Sequence, residues 1–246
     1  MNKQSNLYTI LYIIVLVVVV GAGLAFTAIS LKDRQVANAN ADKMRQILAS
    51  VNISVPADEI ILAYNRYITE TFVVNDSGAV VDGVDAFTVN VAAQSKLPDD
   101  SRLLPVYKFT PDSASAKYIM PMYGAGLWGP IWGYISVEED GSTIYGAYFA
   151  HQGETPGLGA EIEKPAFTGQ FAGKTLIKDS IFVPVTVVKA GQHPAGNADY
   201  VDGVSGGTIT SKGVAAMLDN CLLPYKAFLE SLSTQDFTTT KSESHE

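Results

Sequence analysis

The strongest pattern in the chain is a long interval without charge. From Leu7 to Leu31, LYTILYIIVLVVVVGAGLAFTAISL, there is no charged side chain. The run exceeds the roughly 20 apolar residues that carry a helix across a hydrocarbon layer, and outlasts the about 7–15 residues of a secretory signal core. It predicts one membrane-spanning helix, with Tyr8 and Tyr12 suited to an interface. The alanines of VANANADK imitate a cleavage site, but the length of the run favours a retained anchor. Lys32, Arg34, Lys43 and Arg45 follow the run and only Lys3 precedes it. That count alone places the following domain on the cytoplasmic side.

Beyond the span the spacing changes. Met44, Ile47, Leu48 and Val51 mark one face of a juxtamembrane helix. Residues 55–72, VPADEIILAYNRYITETF, predict an amphipathic helix with Pro56, Asp58 and Glu59 at its start and a core-packing stripe from Ile60 to Phe72. Strand patterns follow. FVVNDSGAVVDG predicts a hairpin with Asp76, Ser77 and Gly78 at its tip. AFTVNV, PVYKFT and AKYIMPMY are short apolar runs. IWGYISVEEDGSTIYGAYFA predicts a second hairpin turning at Asp140-Gly141, and IFVPVTVV one more strand. Strands do not alternate with helices, so a doubly wound sheet is excluded in favour of an α+β fold with an antiparallel sheet and flanking helices. From Ser211 onward, Val214, Met217, Leu218, Cys221, Leu222, Tyr225 and Phe228 form one helical face, with Thr210 or Ser211 as N-cap and a break at Pro224.

Composition narrows the chemistry. A formal charge of −8 argues against nucleic acid as a partner. One cysteine, Cys221, excludes an internal disulfide and a thiolate-held iron–sulfur cluster within the chain. His151, His193 and His245 lack metal-ligand spacing, so no metal site is expected; a turn-bonded or solvated role suits His151 better.

Two glycine-rich loops carry the remaining signal. VDGVSGGTITSKG, Val201–Gly213, runs into a helix N-terminus, where free N–H groups and the positive dipole end favour a phosphate. GETPGLGAEIE, Gly153–Glu163, joins a strand to a helix and reads either as a tight turn or as one wall of a site for a flat ligand. Two literal motif matches fail on context, and a third pattern is incomplete. GAGLWG, Gly124–Gly129, is followed by Pro130 and a strand instead of the helix a dinucleotide site needs. GVSGG, Gly203–Gly207, matches a nucleophile elbow at Ser205, but the only later histidine is His245 in the polar end. Lys212 is followed by Gly213, so this loop lacks the Lys-Ser/Thr pair of a nucleotide-phosphate loop.

DGVSGGT, Asp202–Thr208, resembles the flavinylation motif of FMN-binding subunits, an acid and glycine followed by Ser/Thr-Gly-Ala-Thr, with Gly207 in place of the usual alanine. With GETPGLGAEIE and YGAGLWGPIWG it resembles the C subunits of sodium-translocating NADH:quinone reductases; the paralogous G subunit of the Rnf complex is the alternative, and a membrane-anchored binding protein without redox role the remaining one. The resemblance implies FMN joined covalently to Thr208 by a phosphoester. It implies cofactor contacts from Gly126, Leu127, Trp128, Glu154, Thr155, Gly157, Leu158, Ser205, Gly206, Gly207 and Thr210. Asp202, Gly203 and Ser205 are implied as what a flavin transferase reads. Partner subunits of a membrane oxidoreductase and a domain on the periplasmic side of the bacterial inner membrane are also implied, against the charge count. The chain then divides into a segment 1–6, a membrane helix 7–31, helices within 32–72, an FMN-binding domain 73–233 and a polar tail 234–246.

Overall fold

The computed structural model describes residues 6–112, 114–194 and 196–242. Helix α1 runs without interruption over Asn6–Ala49, so the expected span and juxtamembrane helix are one element. Its 44 residues correspond to about 66 Å at 1.5 Å per residue. Its apolar stretch is exposed throughout, and it is the one helix among the described residues long and apolar enough to cross a membrane. By its internal contacts the chain divides into residues 1–43 and residues 44–246.

The second unit is built on an antiparallel sheet. Helix α2 (Ile60–Tyr67) leads directly into β1 (Ile68–Val74). A short α3 (Val91–Gln94) precedes β2 (Leu104–Phe109), β3 (Lys117–Ala125), β4 (Pro130–Val137) and β5 (Ile144–His151). The five strands lie in sequence order, each antiparallel to the next. Alternation along β4 shows how the layers form. Ile131, Ile135 and Val137 face one core, whereas Tyr134 faces the other. On the same face as Tyr134, Trp132 Nε1 donates to Gln46 Oε1 (3.0 Å) and Ser136 Oγ to Ser50 O (2.6 Å). The end of α1 and the turn after it, Gln46 to Val51, therefore cover that face, and with Tyr64 of α2 they share one core with Tyr107 and Ile119 of the sheet.

The opposite face is covered by the C-terminal half. A 3-10 turn (Gly159–Glu163) and α4 (Pro165–Thr168) follow β5. Then come two small pairs, β6 (Ile177–Lys178) with β7 (Ile181–Phe182), and β8 (Thr186–Val188) with β9 (Tyr200–Asp202), the latter parallel. Helix α5 (Thr208–Leu222), a 3-10 turn at Leu223–Tyr225 and α6 (Lys226–Ser242) complete the chain. Val214, Met217, Leu218, Cys221, Leu222, Tyr225 and Phe228 are all buried in this core, and the expected break falls at Pro224. Buried Arg102 anchors the far end of α5, donating to Asn220 O (2.5 Å) and Asn220 Oδ1 (2.9 Å).

Five expectations are corrected. The helix over 55–72 is cut to α2. Ile68-Thr69-Glu70-Thr71-Phe72-Val73-Val74 is rich in β-branched residues, and pairing with β2 outweighs its helical spacing. The hairpin at Asp76-Ser77-Gly78 keeps its turn, where Asn75 Oδ1 accepts from the Ser77 and Ala79 amides, but its second arm is reduced to the Val74–Val80 bridge. AFTVNV is not a strand. Asp85 Oδ1 takes the Phe87 amide in a local turn, and Asn90 Oδ1 caps α3 at the Ala93 amide. IFVPVTVV is split into β7 and β8 around Pro184, which has no N–H to give a ladder. Helix α5 starts early, at Thr208, with Gly207 at the N-cap and no capping side chain. Thr210 and Ser211, expected there, are drawn into tertiary hydrogen bonds. The polar end from 234 continues helically to Ser242, while His245 and residues 1–5 and 243–246 lie outside the described residues.

Candidate flavin site

Three segments meet at the N-terminus of α5: the β3–β4 turn, the loop after β5, and the glycine loop after β9. Glu154 holds them together. It is 4% exposed. Its Oε1 accepts from the Trp128 amide (2.8 Å) and its Oε2 from Thr210 Oγ1 (2.5 Å). Its own amide donates to His151 Nδ1 (3.1 Å) at the end of β5. One carboxylate thus ties the Gly126–Gly129 turn, the GETPGLG loop and the first turn of α5 to each other. Hydrogen bonds to a charged acceptor are worth about 1.5–3 kcal/mol each, more than neutral ones.

The approach is close because the crossing points are glycines. A Cβ on Gly159 would collide with Glu154 Oε2 and Thr210 Oγ1, and one on Gly126 with Glu154 Oε1. A Cβ on Gly213 would strike the Ala125 carbonyl, so α5 rests against the end of β3 at backbone distance. Gly206 adopts φ +74, a left-handed conformation costly for other residues, and faces Leu158.

The junction encloses a cavity of about 390 Å³, within the about 300–1,000 Å³ of small-molecule and cofactor sites. Leu127, Trp128, Glu154, Thr155, Leu158, Gly206, Gly207, Thr208 and Thr210, all expected from the sequence, line it. So do Gly159 and Ile209, which sequence reasoning missed. Ile209 had a signal: it is an apolar residue between hydroxyls, and it stands 57% exposed. Leu127, Trp128 and Leu158 are exposed as well. Four large apolar side chains open to solvent around one polar-floored cavity are the surface a flat aromatic ring would cover. Thr208 is exposed at the first position of α5, where backbone N–H groups lack partners four residues earlier. The chain's own groups therefore fit a ring–phosphate ligand: apolar walls, an anion-favouring helix end and a hydroxyl at its tip.

The remaining expected residues lie just outside. Gly126 stands behind Glu154, and Gly157 donates its amide to Glu161 Oε1 (3.0 Å) at the turn. Ser205 and Gly203 line a second cavity on the other side of Thr208. Asp202 is exposed, its backbone gripped by Gln170: the Asp202 amide donates to Oε1 (2.8 Å) and Gln170 Nε2 to the Asp202 carbonyl (3.3 Å). No sequence signal marked Gln170. His151, without metal-ligand spacing, is turn-bonded. Because its Nδ1 accepts an amide proton, the neutral ring carries its own proton on Nε2, which faces Glu163 at 3.8 Å.

Comparison with known proteins agrees with this geometry. The model of the FMN-binding domain family matches residues 126–223, from the β3–β4 turn through α5. The C subunit of the Na(+)-translocating NADH-quinone reductase of Vibrio anguillarum is 35% identical over 236 residues, covering 89% of this chain and 91% of that protein. Its Pseudomonas aeruginosa counterpart is 31% identical, covering 88% and 91%. The crystal structure of the C subunit from Parabacteroides distasonis superimposes with a TM-score of 0.75 at 51% identity, covering 81% of this chain and 96% of that one. That of Shewanella oneidensis NqrC gives 0.67 at 25% identity, covering 80% and 99%. With its exposed apolar N-terminal helix, antiparallel domain and glycine-framed cavity, the chain belongs to the NqrC family, the C subunits of Na(+)-translocating NADH-quinone reductases.

Proposed function

We propose that this chain is the membrane-anchored FMN carrier of a sodium-pumping NADH:quinone reductase, with the flavin linked through a phosphoester to Thr208 and its ring in the 390 Å³ cavity. The observation that carries the reading is the position of Thr208: an exposed hydroxyl on the first residue of α5, at the wall of a cavity ringed by Leu127, Trp128, Leu158 and Ile209. When bound, FMN supplies electron transfer between the redox centres of partner subunits on the route to quinone.

The protein's part is placement. Glu154 fixes the three cavity segments, and Gly206 and Gly207 bring the backbone close to the phosphate. The α5 N-terminus stabilises its charge, and the apolar rim covers the ring. A flavin transferase makes the link, reading Asp202, Gly203 and Ser205 on the exposed side of the loop. A Thr208 Oγ–P bond forms, the P–O–P bridge of a flavin dinucleotide donor breaks, the hydroxyl proton passes to a base, and a nucleoside monophosphate leaves. The domain faces the periplasmic side, where a covalent link keeps the cofactor from diffusing away. The named relatives are quinone-reductase subunits, which supports this assembly over the Rnf alternative.

The test is made on full-length protein produced with and without the transferase. We expect a fluorescent band after denaturation and an FMN adduct mass on Thr208, both lost in Thr208→Val. A dark wild-type band, or fluorescence that survives Thr208→Val, refutes the attachment.

A further inference from the structure

Thr208 is shared by two cavities. The first is the ring cavity described above. The second, about 240 Å³, opens between β8 and the first turn of α5. Val187 and Val204 are among its apolar walls, and Lys189 and Lys212 bring two cations to it. Lys212 lies four residues after Thr208 on α5, which puts both side chains on one helix face with Cβ atoms about 6 Å apart.

The chain is acidic overall, at −8. Lys108, Lys117, Lys164, Lys178 and Lys226 each lie against a carboxylate. Lys189 and Lys212 have no ion pair among the described residues, although they flank the same cavity. Lys96 and Lys174 also lack an ion pair among the described residues, but only Lys189 and Lys212 line this cavity. In an acidic domain, two uncompensated cations beside the end of a helix that already favours anions make a local positive site. The ring cavity contains no lysine or arginine among its described lining residues.

We infer that the lysine cavity is the seat of the phosphoryl group carried by Thr208, with Lys212 as its principal counterion and Lys189 as the second. This rests on the proposed attachment at Thr208. The two walls of the Thr208 side chain then divide the ligand by chemistry, with the apolar ring on one side and the permanently charged phosphodiester on the other. Lys212 is a positioning residue: it holds the anchor so that the ring enters its cavity in one orientation.

The experiment is a melting cycle on full-length protein in detergent. Wild type, Lys212→Met and Lys212→Arg are each prepared with and without the transferase, and adduct mass is checked first. Lys212→Met is expected to leave the unmodified protein within about 1 °C of wild type and to lower the melting temperature of the flavin-bearing form by about 2–4 °C at low salt. Lys212→Arg is expected to restore it, and about 0.5 M salt to shrink the gap by half or more. An equal shift in both forms, or no shift in either, overturns the counterion role while leaving the attachment intact. Absence of the adduct in wild type overturns both, and the mass measurement tells the two failures apart.

Discussion

Replacing Glu154 tests whether one buried carboxylate organises the site. Glu154→Ala removes the acceptor of both the Trp128 amide and the Thr210 hydroxyl. Each hydrogen bond to a charged group is worth about 1.5–3 kcal/mol. The lower end applies to the partly buried bond from the Trp128 amide, so a total loss of about 3–4.5 kcal/mol follows. In a domain of about 200 residues that corresponds to a fall in melting temperature of about 6–18 °C. Glu154→Gln keeps an oxygen for the Trp128 amide and offers its amide group to Thr210 Oγ1, losing charge but not connectivity. It should cost about 1 kcal/mol, or about 2–4 °C. Thr210→Val removes the same bond from the other side. Combined with Glu154→Ala it should show a coupling of about 1.5–2 kcal/mol. Thermal denaturation of the full-length protein in detergent, followed by near-ultraviolet circular dichroism, reads all four. Equal losses for the Ala and Gln variants, or a coupling under about 0.5 kcal/mol, would refute the clamp.

Other consequences are as direct. Gly213→Ala places a methyl group against the Ala125 carbonyl and should destabilise the domain by about 1–3 kcal/mol, measurable by the same melts. Burial pushes the Cys221 thiol up, so native protein at pH 7.5 should resist iodoacetamide and become labelled only on unfolding; rapid native labelling would contradict its packing against Tyr123. Burial alone would raise the Asp199 carboxyl, but hydrogen bonds from Lys178 and from the Thr175 amide and hydroxyl outweigh it and hold the group below the ordinary range. A lowered folded-state value contributes stability that is complete above the unfolded value of about 3.9 and is lost as pH falls through the folded one. Asp199→Asn should therefore be less stable than wild type at neutral pH and flatter in its acid limb, as read by denaturant midpoints from pH 7 to 2.5.

The legibility of the sequence depended on how local each signal was. The uncharged run from Leu7 and the apolar face of α5 are carried by residues adjacent in the chain, and both formed as read. The break at Pro224 and the turn at Asp140-Gly141 are likewise imposed by covalent geometry and local hydrogen bonds. The spacing of Ile68–Phe72 satisfies a helix and a strand alike, and only the presence of β2 alongside decides between them. Thr210 and Ser211 differ from the expected caps for a related reason. Their hydroxyls suit a helix end locally, but Glu154 Oε2 accepts the Thr210 proton and Ser211 Oγ accepts the Val204 amide.

The sequence by itself determined that there is an anchor, that two glycine-rich loops stand out, and that the second runs into a helix able to receive a phosphate. Those are properties of composition and short-range order. Only the tertiary structure decided that Glu154, fifty-six positions before Thr210, binds it and the Trp128 amide at once. It alone set Thr208 between an apolar cavity and one flanked by two lysines without ion pairs among the described residues. The physical reason is that a site made of three loops exists only where backbones approach within reach of one side chain. Which glycines permit that approach depends on what the fold places opposite them.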